Sequence, residues 1–155
     1  MLRNIMDLSQ FAVDASAIDA LSAYQITRFF SIHPSTTEDV CKKMASALIG
    51  STVSPTPVQG QFSYTVVSDS KLNPKIVQFR HAALDLERMN QAKQTYGAMV
   101  PLCEFRDMLA DVYVYEMDRI SGSSFCRVRR QLFAPGMKLQ LLQIVQDLAR
   151  FLSLR

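Results

Sequence analysis

The stretch "KIVQFRHAALDLERMNQAKQTYG", Lys75 to Gly97, changes its period part-way through. Its first half is a short apolar strand that ends in alternating Gln78 and Arg80. These two have the same parity and so face the same side of the strand. From about Leu84 the pattern becomes that of a charged helix, which runs to near Tyr96 and stops at Gly97. Strand, polar or basic hook, then a helix carrying acids is one way to build a clamp for a nucleotide phosphate, so the surrounding chain must show whether the other parts are there.

On the N-terminal side, "STVSPTPV" alternates but carries two prolines, which suits an edge strand. "QFSYTVVS" is rich in β-branched and aromatic residues, and "SDSKLNP" reads as a turn. With "KIVQF" these segments form an antiparallel meander, because each connection is too short for a crossover helix. On the C-terminal side come two more strands, "PLCEF" and "DVYVYEM", then the turn "DRISGSSF" and a linker around Pro135 and Gly136. A last helix, about Met137 to Leu154, aligns Leu139, Leu142, Val145, Leu148 and Leu152 on one stripe.

Ahead of the sheet, residues 7–31 read as two short helical pieces, with Ser22 placed to cap the second. "HPSTTEDVCKKMASALIG" gives a helix with Ser35 and Glu38 as a capping box and Gly50 as its stop. Val40, Met44, Ala47 and Leu48 are its expected apolar stripe. The fold class expected is α+β: a five-stranded antiparallel sheet with one inserted helix, N-terminal helices and a C-terminal helix. The expected organisation is a helical extension over residues 1–34 and a single folded unit over 35–155.

Composition bounds the function. A chain of 155 residues, 48% hydrophobic and 20% charged, is that of an ordinary folded domain. A net charge of +3 falls short of the dense basic face of a nucleic-acid binder. Cys41, Cys103 and Cys126 are widely spaced and lack a C-x-x-C or Cys/His pattern, so neither a zinc site nor a disulfide framework is expected. The N-terminus "MLRNIMDLSQ" has Asp7 where a signal peptide needs its apolar run, and no apolar stretch reaches the span of a membrane helix. A cytoplasmic location, without membrane or nucleic-acid partners, is the expectation.

"VQGQFSYTVV", "KIVQFR", "LDLERMNQAKQTYGAMVP" and "VYVYEMDRISGSSF", in that order, resemble fungal members of the aminoglycoside phosphotransferase and choline kinase-like family. The resemblance covers about Thr36 to Leu154 and implies the small N-terminal lobe of a protein-kinase-like fold. In that family a second lobe supplies an H-x-D-x-x-x-x-N catalytic loop and a metal-binding Asp for phosphoryl transfer. Neither His33 nor His81 begins such a motif here. The resemblance therefore implies a pseudokinase-like module without catalytic or metal-binding residues, and at most vestigial ATP binding.

The resemblance also nominates site residues. Gly60 and Ser63 take the place of the phosphate-covering turn, although a single glycine is weak evidence and a plain hairpin turn is the favoured reading. Gln78 or Arg80 takes the place of the phosphate-contacting cation, and Glu87, or failing it Asp85, that of its helix partner. Glu116, Met117 and Asp118 of "YEMD" fall on the hinge that meets adenine through backbone groups. The basic cluster of Arg127, Arg129, Arg130 and Lys138 is read either as an acidic-ligand site or as a solvated flank.

Two alternatives stand beside this reading. One is a biosynthetic enzyme using the open cleft for cyclisation or isomerisation, with Glu104, Asp107, Asp111, Glu116 and His81 as polar candidates; the other is a truncated phosphotransferase. A small-molecule ligand fits either class. A homodimer, or a protein partner held through Leu142, Val145 and Leu152 of the last helix, follows from its apolar stripe. The competing account for that stripe is an internal cap made by Leu8 to Phe30.

Overall fold

A computed structural model describes residues 15–72 and 74–153 of the chain. The chain separates into two compact units. One is Asp19–Ser121; the other joins the chain before Asp19 to Gly122 and beyond. The first holds the sheet and is α+β, as its alternating and helical periods dictate.

Helix α1 (Ala15–Ile32) leads to α2 (Glu38–Ile49), and strands β1 (Val53–Pro55), β2 (Ser63–Ser68) and β3 (Lys75–Arg80) follow as a meander. Helix α3 (Leu86–Tyr96) intervenes before β4 (Cys103–Leu109) and β5 (Val112–Asp118). The five strands lie in the order β1-β2-β3-β5-β4, and every neighbouring pair is antiparallel. The proline-bearing strand is at the edge, where a missing N–H does no harm to the ladder.

Alternation along β2, β3 and β5 sorts side chains to two faces. Tyr64, Val66, Val77, Phe79, Val112 and Val114 point to one side and are wholly buried, with Phe29 of α1 and Cys41 and Ala45 of α2 packed on them. The Tyr64 hydroxyl donates to Glu38 at 3.1 Å. Burial, with Glu38 beside it, holds the Tyr64 hydroxyl well above its ordinary pKa, and burial pushes the Cys41 thiol up to about 12.

Several local expectations are corrected. Within the described residues the N-terminal region is one helix, α1. Ser22 sits inside it, and its hydroxyl donates to the Pro57 carbonyl at 3.1 Å instead of capping a second piece. Residues 7–14 lie outside the described residues, as does the Leu8 end of the proposed cap.

The cap of α2 is Thr37, whose hydroxyl accepts from the Val40 N–H at 3.3 Å, so the start falls two residues after Ser35. The buried stripe of α2 is Cys41 and Ala45 with Met44 and Ile49, one position round from the expected one. Val40 and Leu48 are exposed. Gly50 ends α2 as expected. At φ 74° it is left-handed, and its N–H reaches the Ser46 carbonyl at 2.8 Å.

In the second unit, "FCRVRRQL" forms helix α4 (Phe125–Leu132), where turn and linker were expected. Phe125, Val128 and Leu132 do recur at helical spacing, but two turns are a short run to set against the turn residues on either side. Helix α5 (Lys138–Ser153) follows, with Leu139, Leu142, Val145, Leu148 and Leu152 all exposed. The side chains of Cys126 and Arg129 lie outside the described residues, as does Leu154. No described helix is long and apolar enough to cross a membrane.

Candidate functional site

The face of the sheet turned away from α1 and α2 carries Ser63 and Thr65 from β2 and Gln78 and Arg80 from β3. Register places Ser63 opposite Arg80 and Thr65 opposite Gln78. Residues directly opposite on an antiparallel pair share a face, so these four form one polar row. Gln78 Nε2 donates to Ser63 Oγ and to Thr65 Oγ1, each at 3.2 Å, and Arg80 Nη1 donates to Gln78 Oε1 at 3.0 Å.

Arg80 ends the row. It makes no ion pair with any described residue, and its Nε is buried without a hydrogen-bond partner. A buried donor left unfilled costs roughly 1–3 kcal/mol. Close to it lies Cys103. Burial pushes that thiol up to about 11 while the positive field of Arg80 opposes the rise. Tyr115, opposite Gln78, packs edge-on against Phe105 at 5.7 Å, and its hydroxyl accepts from the Leu84 N–H at 3.0 Å. That contact ties the segment leading into α3 to the same face.

The helix carboxylates are elsewhere. Asp85 caps α3 by accepting from the Arg88 N–H at 3.0 Å and pairs with the Arg88 guanidinium at 3.1 Å. Glu87 is exposed and accepts from Gln91 at 3.5 Å. The expected pairing of Glu87 with Gln78 or Arg80 is therefore replaced by contacts within the helix. The physical reason is capping: Asp85 serves the free N–H groups of the first turn and Glu87 its i+4 neighbour.

Gly60 does approach Ser63; a Cβ on Gly60 would come within 3.2 Å of Ser63 Oγ. The turn between β1 and β2 owes its shape to Gln59. The Gln59 amide nitrogen donates to the Thr56 and Thr65 carbonyls at 3.0 and 2.8 Å, and its carbonyl accepts from the Thr65 N–H at 2.9 Å. This buried side chain stands in for strand pairing that the two prolines and the loop interrupt. Sequence reading missed it, since a polar residue in a loop gives no periodic signal.

At the hinge segment, Met117 lies on the face of Gln78 and Arg80, while Glu116 and Asp118 share the opposite face with Lys75 and Val77. Glu116 is nearly buried between Lys75 at 3.5 Å and Arg106 at 2.8 Å. Asp118 accepts from Lys75 at 2.9 Å, and that contact holds its carboxyl below the usual range. Two successive backbone donors of the segment are occupied: Asp118 N–H by the Leu102 carbonyl and Arg119 N–H by the Pro74 carbonyl, each at 3.1 Å. Ser63, Gln78 and Arg80 are thus brought together, whereas the Glu116 and Asp118 carboxylates serve a separate ionic network with Glu104.

A second titratable pair was not read as one from the sequence. His33, 5% exposed at the end of α1, meets Asp111 of the β4–β5 turn with Nδ1 to Oδ2 at 2.5 Å. Seventy-eight positions separate the two, so only the closing of the sheet shows their proximity. No group of three His, Cys, Asp or Glu placed to hold a metal ion occurs among the described residues.

No family model, curated protein or solved structure matches the chain.

Proposed function

We propose that these residues form a kinase-like, aminoglycoside phosphotransferase-like small lobe that works as a non-catalytic binding module, keeping an anion contact at Arg80 as the remnant of a nucleotide site. The observation that carries this reading is the Arg80 guanidinium at the end of a row of hydroxyl and amide groups, with a buried Nε unfilled and no ion pair to any described residue. Arg suits phosphate contacts, and a phosphate would meet the outer, terminal nitrogens of this guanidinium. A five-stranded antiparallel sheet with a helix after its third strand supports the assignment of the lobe.

The same geometry supports the loss of catalysis. The slot on β3 that points with the polar row at mid-strand is held by neutral Gln78, and the helix acids are committed to their own helix. The hinge donors at Asp118 and Arg119 are already spent on Leu102 and Pro74. Adenine recognition is correspondingly weak and phosphate contact dominates.

Calorimetry with ADP, ATP and pyrophosphate tests this. Weak binding is expected, with dissociation constants on the order of 1 mM. All three ligands lose it in Arg80→Met, and no phosphate is transferred to hydroxyl or amine acceptors. Binding untouched by Arg80→Met, or magnesium-dependent turnover above background, overturns the proposal.

The exposed apolar residues of α5 support the assembly half of the reading, a homodimer or a protein partner through that helix. Light scattering at micromolar concentration should give a mass above the monomer that drops in Val145→Asp. A monomeric mass for the unmodified protein removes the homodimer.

A further inference from the structure

A cavity of about 210 Å³ opens on the other face of the sheet, beside the His33–Asp111 pair. Phe29 and Ile32 of α1 and Phe62 of the turn before β2 form its apolar walls. His81, just past β3, faces His33 with ring centroids 6.2 Å apart and meets the edge of Phe62 at 5.4 Å. Parity explains the grouping: Phe62 and His81 continue the buried series of Tyr64 and Phe79 by one more step, beyond the end of the core.

The polar groups at this cavity point to a ligand. A carboxylate only accepts, so the Asp111 contact places the hydrogen of a neutral His33 on Nδ1 and leaves Nε2 as a lone pair. His33 is almost wholly buried and lines the cavity, and Nε2 is its ring nitrogen not engaged by Asp111. At the rim, Arg28 is exposed and makes no ion pair with any described residue. The site thus combines an acceptor inside, a free cation outside and aromatic rings between them.

Size narrows the class. An apolar cavity of about 150 Å³ admits one benzene ring, and drug-sized ligands need roughly 300 Å³ or more. We infer that this cavity binds a single-ring hydroxylated aromatic acid, its hydroxyl donating to His33 Nε2, its ring among Phe29, Phe62 and His81, and its carboxylate toward Arg28. The site lies across the sheet from Arg80 and does not depend on the nucleotide reading.

Para-hydroxybenzoate is the probe, titrated into the full chain while the ring signals of His33 and His81 are followed by NMR. Saturable shifts at both rings are expected, with benzoate, which lacks the hydroxyl, binding about tenfold more weakly. Arg28→Ala should weaken the probe about fivefold, the loss of one exposed charge contact. His33→Asn keeps a donor for Asp111 and deletes Nε2, so in that variant the probe and benzoate should bind alike. Arg80→Met should leave all of this unchanged. Absence of saturable shifts, or equal binding of benzoate and the probe to the unmodified protein, overturns the inference. Should His33→Asn fail to fold, Arg28→Ala and the benzoate comparison decide the matter.

Discussion

The two faces of the sheet are written by alternate residues of the same strands, and they differ in what completes them. Toward α1 and α2, six side chains from β2, β3 and β5 reach full burial, with residues of both helices packed on them. Toward the other side, Ser63, Thr65, Gln78 and Arg80 bond mainly to each other, and the row ends on an unfilled guanidinium nitrogen. The first face is finished by the chain itself. The second carries a local cost that folding does not recover, and such a cost persists where something other than stability retains the residue. On the proposed reading, folding rests on this packed core and anion binding on the polar row across the sheet.

The largest effect that can break this division is at Phe79. Phe79→Ala empties a fully buried ring site between Tyr64 and Val114 and should cost about 3–5 kcal/mol in urea or thermal unfolding. Its strand neighbour Gln78, changed to Ala, should cost about 1 kcal/mol, because only hydrogen bonds within a half-buried row are lost. Equal losses at the two positions would mean that the second face is as structural as the first.

Next is Glu116, which stands on the core face yet is charged. It survives there because Lys75 and Arg106 both reach it. Glu116→Ala leaves both cations facing a nearly buried position, and a loss of about 2 kcal/mol is expected, reduced from the buried-pair range by the partly exposed partners. Unchanged stability in chemical denaturation would show the network to be a surface feature.

Arg80 should behave in the opposite sense. Arg80→Met keeps an unbranched chain of similar length, removes the unfilled donor and forfeits one hydrogen bond to Gln78. Stability should change by less than about 1 kcal/mol in either direction, while anion binding disappears. A loss above about 2 kcal/mol would make Arg80 a structural residue and remove the central support for the binding reading.

The sequence made the sheet legible because its strands are short, β-branched and separated by turn residues, and because connection lengths allow only a meander before α3. Parity alone placed Gln78 and Arg80 together, and the structure adds that they are hydrogen-bonded. The carboxylate partner did not carry over. Asp85 and Glu87 sit at a helix start, where local backbone donors and an i+4 neighbour compete for them more cheaply than a strand across a loop. The apolar stripe of α2 slipped by one position because Cys41 and Ala45, the residues that bury, are small and carry less apolar weight than exposed Val40 and Leu48. His33 and Asp111 were invisible as a pair, since neither belongs to a spaced motif and only the β4–β5 turn carries Asp111 back to α1. Side-chain hydrogen bonds made across tens of residues, like that one and Gln59 with Ser22, leave no period to read.

The smallest effect tests whether the His33–Asp111 contact belongs to the folding side or the binding side of the comparison. Its hydrogen bond from His33 holds the Asp111 carboxyl below the usual aspartate range. A carboxyl lowered in the folded state binds fewer protons there than in the unfolded chain. Its contribution is therefore fully present above the unfolded pKa, about 4. It fades as pH falls through the folded value. Asp118 titrates in the same direction through Lys75, so acid unfolding of the native protein alone cannot isolate Asp111. The difference between the native protein and Asp111→Asn can, because Asp118 is common to both. That difference in unfolding midpoint should be small and positive for the native protein near neutrality, and should shrink below about pH 4. Because Asp111 stands at the surface, the effect on stability stays minor even where the effect on the His33 ring is complete. In Asp111→Asn the amide can present either its oxygen or its nitrogen to Nδ1, so Nε2 is no longer fixed as the acceptor. The His33 ring signals should then lose their preference for a single tautomer at neutral pH while the fold persists. A midpoint difference that stays constant from neutrality down to about pH 3 would mean that Asp111 is not held ionised by His33. The imidazole would then be positioned by its burial alone.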